Sequence, residues 1–84
     1  MNNKVLISDD ELIKRLRDLK DQNAKIHITI NDHRKKVINA ESTISEIYQH
    51  FICVEAFVQH YLESFTIKLV DLKIGRVKIQ ELSI

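Results

Sequence analysis

At 84 residues the chain has room for one domain, and 13 basic residues nearly cancel 12 acidic ones, leaving a formal net charge of +1. No global field draws such a chain to nucleic acid or to an anionic membrane, so a partner recognised by charge is recognised locally. The longest uninterrupted apolar run, Phe51 to Val54, is four residues, against the roughly 20 of a membrane span, and the lone Cys53 cannot form an internal disulfide, so a soluble, cytoplasmic protein is expected.

Size also limits the core. A chain this short buries only about 60% of the surface exposed when unfolded, and just below this length a single core rarely supplies more than ~3–5 kcal/mol. Self-association is one way to offset that shortage. The opening MNNKVLISDDEL is too short in apolar residues for a secretory leader.

The first element begins at Ser8. Its hydroxyl suits an N-cap, Glu11 three residues on completes a capping box, and Asp9 and Asp10 set negative charge on the positive helix end. Ile7 and Leu12 stand at staple positions, Leu12, Ile13, Leu16 and Leu19 form the apolar stripe, and Asn23 suits a left-handed stop. A helix over about 9–22 follows. Ile26, Ile28 and Ile30 then alternate with His27 and Thr29, the period of a half-buried strand. The turn signal Asn31-Asp32 and the resumption at Val37 and Ile38 predict a hairpin over about 25–39 with the basic tip His33-Arg34-Lys35-Lys36. No glycine sits in that tip, so its loop is expected to exceed two residues.

The next segment decides the fold. At 100° per residue, Ile44, Ile47, Tyr48, Phe51, Ile52, Val54, Phe57, Val58, Tyr61, Leu62 and Phe65 fall on one side, with Glu55 out of place. From Ala40 to Val70, 31 residues contain no Gly, Pro, Asn or Asp, although a strand reading needs turns near Gln49 and Gln59. Thr43 with Glu46 offers a second capping box. A helix over about 43–63 is therefore predicted, with the β-branched and aromatic content favouring strands as the rival. The remainder alternates at Ile67/Leu69 and Val77/Ile79 around the only glycine, Gly75, which predicts a second hairpin over about 66–82. An offset of 41 aligns Ile26 with Ile67, Ile28 with Leu69 and Ile38 with Ile79, a match that chance also gives between amphipathic hairpins.

The expected fold is α+β in the order α-β-β-α-β-β, two helices on one face of an antiparallel four-stranded sheet. The alternative is an N-terminal helix followed by a small SH3-like β-barrel.

No phosphate loop, zinc array or hydrolase spacing occurs, so catalytic, cofactor and metal residues are all read as none. His50 and Cys53, three apart on one predicted helix, can converge on an ion, with His60 or His27 as a distant third ligand, but two ligands do not make a site. Glu46 and His50, one helical turn apart, read as a surface pair rather than as acid–base partners. Charge placement says more. No Lys or Arg occurs from Val37 to Ile67, while Arg34, Lys35, Lys36, Lys73, Arg76 and Lys78 cluster at the two predicted tips. Together they would make a rim suited to phosphates or an acidic protein. Phe57, Tyr61 and Phe65 are the candidate apolar interface, the end of a stripe larger than so small a fold can cover. A non-enzymatic binding or regulatory protein acting through a protein interface, as a homodimer, is expected. A sequence-tolerant nucleic-acid binder using the basic tips is the alternative, and no membrane partner is implied.

Overall fold

The computed structural model describes residues 7–34 and 36–82. In chain order these form α1 (Asp9–Asp21), β1 (Ile26–Asn31), β2 (Lys36–Ile47), β3 (Phe51–Val58), β4 (Tyr61–Lys68), α2 (Leu69–Ile74), β5 (Val77–Ile79) and a closing 3-10 turn, Gln80–Leu82. The α+β class, with one antiparallel sheet and two helices, is as expected. The strand count and element order are not. Five strands lie in the order β4-β3-β2-β1-β5, so the helix-plus-five-strand content of the barrel alternative is nearer. Among the described residues β4 and β5 do not pair, which leaves the sheet with two edges.

α1 follows its sequence signals closely. The Glu11 N–H donates to Ser8 Oγ at 3.1 Å. The Glu11 carboxylate, however, takes Arg15 Nε at 3.2 Å. At the other end Asn23 has φ 50°. The N–H groups of Asn23 and Ala24 reach back to the carbonyls of Lys20 and Leu19 at 3.0 and 3.1 Å, the paired bonds of a Schellman stop. Leu12 and Leu16 are fully buried, and α1 packs on β2.

The helix expected over 43–63 is instead the end of β2, all of β3 and the start of β4. Ile52, Val54 and Ala56 are buried, and Cys53, Glu55 and Phe57 point to the other face. Glu55, misplaced on a helical wheel, is correctly placed on the outer face of a strand. The turns come without the usual residues. Between β3 and β4 only Gln59 and His60 intervene, at φ 51° and 74°, a two-residue loop with both centres left-handed, where Asn-Gly is the usual occupant.

β2 is long and bent. Against β1 its register shifts between Ile28 and Ile30, and against β3 between Ile44 and Glu46. In each case the extra residue lies on β2. Asn39, at φ 55°, sits at the first bulge, where its N–H donates to Thr29 Oγ1 at 3.0 Å. At the second, Ser45 Oγ donates to the Cys53 carbonyl at 3.1 Å. Bulges add local bend and twist, and the bent sheet gathers Ile26, Ile28, Ile44, Ile52, Val54, Ile67, Val77 and Ile79 into one core with Leu69 and Leu72 of α2.

The second expected hairpin is absent. Lys68 leads into α2, and Gly75 at φ 85° is the left-handed stop of that helix rather than a hairpin turn. β5 returns beside β1, not beside β4. Of the residues aligned at an offset of 41, Ile26 and Ile67, and Ile38 and Ile79, lie on strands, while Ile28 on β1 meets Leu69 on α2. Among the described residues no helix is long and apolar enough to cross a membrane.

A left-handed conformation costs an ordinary residue about 1–2 kcal/mol. Replacing Gln59 and His60 together by Asn and Gly should therefore stabilise the protein by about 1–2 kcal/mol. For a chain this size that corresponds to a rise in Tm of roughly 4–8 °C per kcal/mol. A thermal melt with an unchanged or lower midpoint would contradict the turn.

Candidate functional site

At one end of β1 the chain leaves the sheet through the loop joining Asn31 to Lys36. Asp32 Oδ1 accepts the Arg34 N–H at 3.4 Å, the local bond that makes Asp a turn residue. On the other side of β1 the Asn31 N–H donates to the Arg76 carbonyl at 3.0 Å, carrying the β1–β5 ladder beyond Val77. Gly75 makes the reversal that delivers Arg76 there. Loop and strand thus frame an open depression of about 740 Å³ lined by Asn31, Asp32, His33, Arg34, Lys36 and Arg76. A second of about 320 Å³ shares Asn31, Lys36 and Arg76 and extends to Lys78 and Ile38.

Four of the six cations singled out from the sequence therefore meet. They are brought together by β5 lying beside β1, not by two hairpin tips. Arg34, Lys36 and Lys78 take part in no ion pair among the described residues, and Arg76 Nη1 stands 3.8 Å from Asp71 Oδ1. Lys73 is elsewhere. Its ammonium pairs with Asp9 and ties α2 to the start of α1. Lys35 lies outside the described residues.

The candidate apolar residues divide likewise. Phe57 is 61% and Tyr61 75% exposed, and Leu62, the cross-strand partner of Phe57, is 58% exposed. Phe65 is half-buried against the core. The end of the β3–β4 hairpin thus carries three large apolar side chains to solvent. Leu62 was not singled out from the sequence, because a helical wheel hides its opposition to Phe57. Ile38, which resumes the apolar pattern of the first hairpin in the sequence, is 78% exposed. The adjacent Asn39, whose type favours a left-handed bulge, was the available signal.

The histidine and cysteine candidates do not converge. His50 lies in the β2–β3 turn, Cys53 on β3, and His60 in the turn at the far end of that strand. Three residues apart, a ligand spacing on a helix, places side chains on opposite faces of an extended chain. Glu46 pairs across the strands with Cys53, not with His50. Among the described residues no three His, Cys, Asp or Glu groups stand where they could hold a metal.

His27 has another role. Its backbone N–H donates to Glu81 Oε1 at 2.7 Å and its Nδ1 lies 2.7 Å from Glu81 Oε2. β5 ends at Ile79 opposite Ile28, so the Glu81 carboxylate accepts at His27, just beyond the last paired residue of that ladder. Partial burial pushes this carboxyl up, but the bonds from the His27 ring and backbone together hold it below its ordinary value of 4.5. Nothing in the sequence marked a pair 54 positions apart.

Compared with protein-family models, curated proteins and solved structures, the chain matches none.

A carboxyl lowered in the folded state stabilises the fold fully above its unfolded value, and that contribution disappears as pH falls through the folded one. Stability of the wild type should accordingly drop below about pH 4.5 as Glu81 protonates. Glu81→Gln should be less stable at pH 7 and lose less between pH 5 and 3. Urea midpoints across that range check it, and parallel pH profiles for the two proteins would refute it.

Proposed function

We propose that this chain is a non-enzymatic binding protein that works as a homodimer, joined along the outer edge of β4 beside the apolar end of the β3–β4 hairpin. The observation that carries this reading is an eight-residue edge strand that pairs with β3 alone among the described residues, next to exposed Phe57, Tyr61 and Leu62. Edge strands are ordinarily guarded by proline, bulges, charge or brevity. β5 is brief, with three residues and then a 3-10 turn. β4 has no proline, keeps an unbroken register with β3, and carries its only lysine at the last residue.

The geometry of the edge suits a second copy. The Leu69 N–H donates to the His50 carbonyl at 3.0 Å. Bonded pairs alternate along an antiparallel ladder, so odd-numbered β4 residues bond to β3. Leu62, Ser64, Thr66 and Lys68 then present their backbone groups outward. A two-fold axis at Phe65 sets Leu62 opposite Lys68 of the second copy, Ser64 opposite Thr66 and Glu63 opposite Ile67. No like charges face each other, and the lysine stem can cover the leucine. Such a pairing extends the sheet across two chains and adds the buried surface that one small core lacks.

Sedimentation equilibrium at high micromolar concentration should give twice the chain mass. Ser64→Pro removes one outward N–H and leaves the β3 ladder intact, and Leu62→Glu opposes the apolar contact. Each variant should sediment as a monomer with an unchanged circular dichroism spectrum. A monomeric wild type, or a Ser64→Pro protein that is folded and still dimeric, would sink the proposal.

A further inference from the structure

The convergence of Arg34, Lys36, Arg76 and Lys78 supports a second use of the molecule, independent of the β4 edge. We infer that these four residues bind the phosphate backbone of single-stranded nucleic acid with little regard to sequence.

The plainest account of charged residues near a loop is that they are solvated there. Their arrangement goes further than that. The four come from two segments far apart in the chain, Arg34 and Lys36 where the β1–β2 loop enters β2, and Arg76 and Lys78 where the turn after α2 enters β5, and they line two adjoining depressions. Asp9, Glu41 and Glu81 are engaged elsewhere, with Lys73, Lys25 and His27. Asp32 lies in the depression and Asp71 Oδ1 stands 3.8 Å from Arg76 Nη1, so the four cations outnumber the carboxylates beside them and the rim is positive on a chain whose net charge is +1. Like charges held together repel, and an anion placed among them relieves that repulsion.

Single-stranded nucleic acid fits this rim better than a duplex. Ile38, at 78% exposure, lines the second depression with Lys36, Arg76 and Lys78, an apolar surface among the cations. Only an unpaired strand can turn base or sugar faces onto it, because a duplex keeps its bases stacked inside. The four cations sit on a loop, two strands and a turn, not along a helix that a major groove could receive. Sequence tolerance follows from the same inventory: the cations contact phosphates, which carry no sequence information. The remaining sheet is acidic and confines the path of a strand. Glu41, Glu46 and Glu55 are exposed on β2 and β3, so the strand is held to the β1–β5 side.

The test is fluorescence anisotropy with a labelled oligothymidylate of about 15 nucleotides, a length within the usual single-strand site range. It uses the full chain at about 50 mM salt, where electrostatic binding is strong. Four neutralised phosphates on a single strand predict a slope of log K against log salt of about −2.8, at about 0.7 per contact. The triple variant Arg34→Gln, Lys36→Gln, Lys78→Gln should bind about tenfold more weakly or worse, with the slope reduced to about −0.7. The triple Lys14→Gln, Arg17→Gln, Lys20→Gln on α1 makes the same change in net charge and should leave both values as they are. Ser64→Pro should also bind normally, since β4 contributes nothing to the rim, and this keeps the result separable from the dimer proposal. Absence of binding at low salt overturns the inference. Equal losses from the two triples do the same, as does equal affinity for a duplex or equally effective competition by polyglutamate or inorganic pyrophosphate.

Discussion

The bend in β2 is the constraint on which the other elements depend. A 12-residue strand in a flat sheet would hold β1 and β3 in one plane on either side of it and expose the inner face of both. Two extra residues placed on β2, one facing β1 and one facing β3, let its halves turn relative to each other. The inner faces of β1, β3, β4 and β5 can then share one core with two short helices. The local bonds of Asn39 and Ser45 to Thr29 and Cys53 hold the bends where the ladder alone would straighten them. Ser42, between the bulges, is buried and satisfied by donating to the Ala40 carbonyl at 3.0 Å, so a polar residue enters the core without the cost of an unpaired hydroxyl.

The same bend explains how β5 comes to lie beside β1. The chain leaves β4 at the far edge of the sheet and returns through α2, whose Leu69 and Leu72 are buried in the core. Gly75 then reverses it onto β1. Three residues of β5 suffice because their work is continued on both sides, by the Arg76 carbonyl taking the Asn31 N–H and by the Glu81 carboxylate taking that of His27. Each of these contacts also has a chemical consequence, one bringing Arg76 to the rim and the other tying the end of the chain to an acid-sensitive carboxylate.

How legible this was in the sequence depended on whether the deciding interaction was local. α1, its cap and its stop were written in Ser8, Glu11 and Asn23, because capping involves neighbours. The first hairpin was legible too, from the Ile26, Ile28, Ile30 alternation and Asn31-Asp32. The central segment misled for a definite reason. Both faces of β3 carry apolar residues, Phe51, Cys53 and Phe57 outward and Ile52, Val54 and Ala56 inward, so the alternation that marks a strand is diluted and a helical stripe can be drawn through what remains. The turn at Gln59-His60 adds to the confusion, since neither residue type advertises a left-handed conformation. Glu55 was the one discordant signal, and it was correct. The basic cluster was legible as a set of residues but not as a place, because its assembly depends on β5 pairing with β1, a contact between segments nearly 50 positions apart.

Charge on this protein is sorted by strand. From Val37 to Ile67 the chain carries no Lys or Arg, and that range is most of β2, all of β3 and nearly all of β4. The cations are left to the chain up to Lys36 and to the segment from Lys68 onward. In sequence this is only an uneven distribution. In the sheet it divides one side from the other, with exposed Glu41, Glu46 and Glu55 on the central strands and the rim of Arg34, Lys36, Arg76 and Lys78 at the β1–β5 side. The apolar hairpin end and β4 belong to the acidic half. If both proposed surfaces act, a polyanion at the rim would be repelled from the edge where a second copy would pair, and a strand paired at that edge would leave the rim open. The order β4-β3-β2-β1-β5 sets β4 and the β1–β5 rim at opposite sides of the sheet, so the two surfaces would not compete for one ligand.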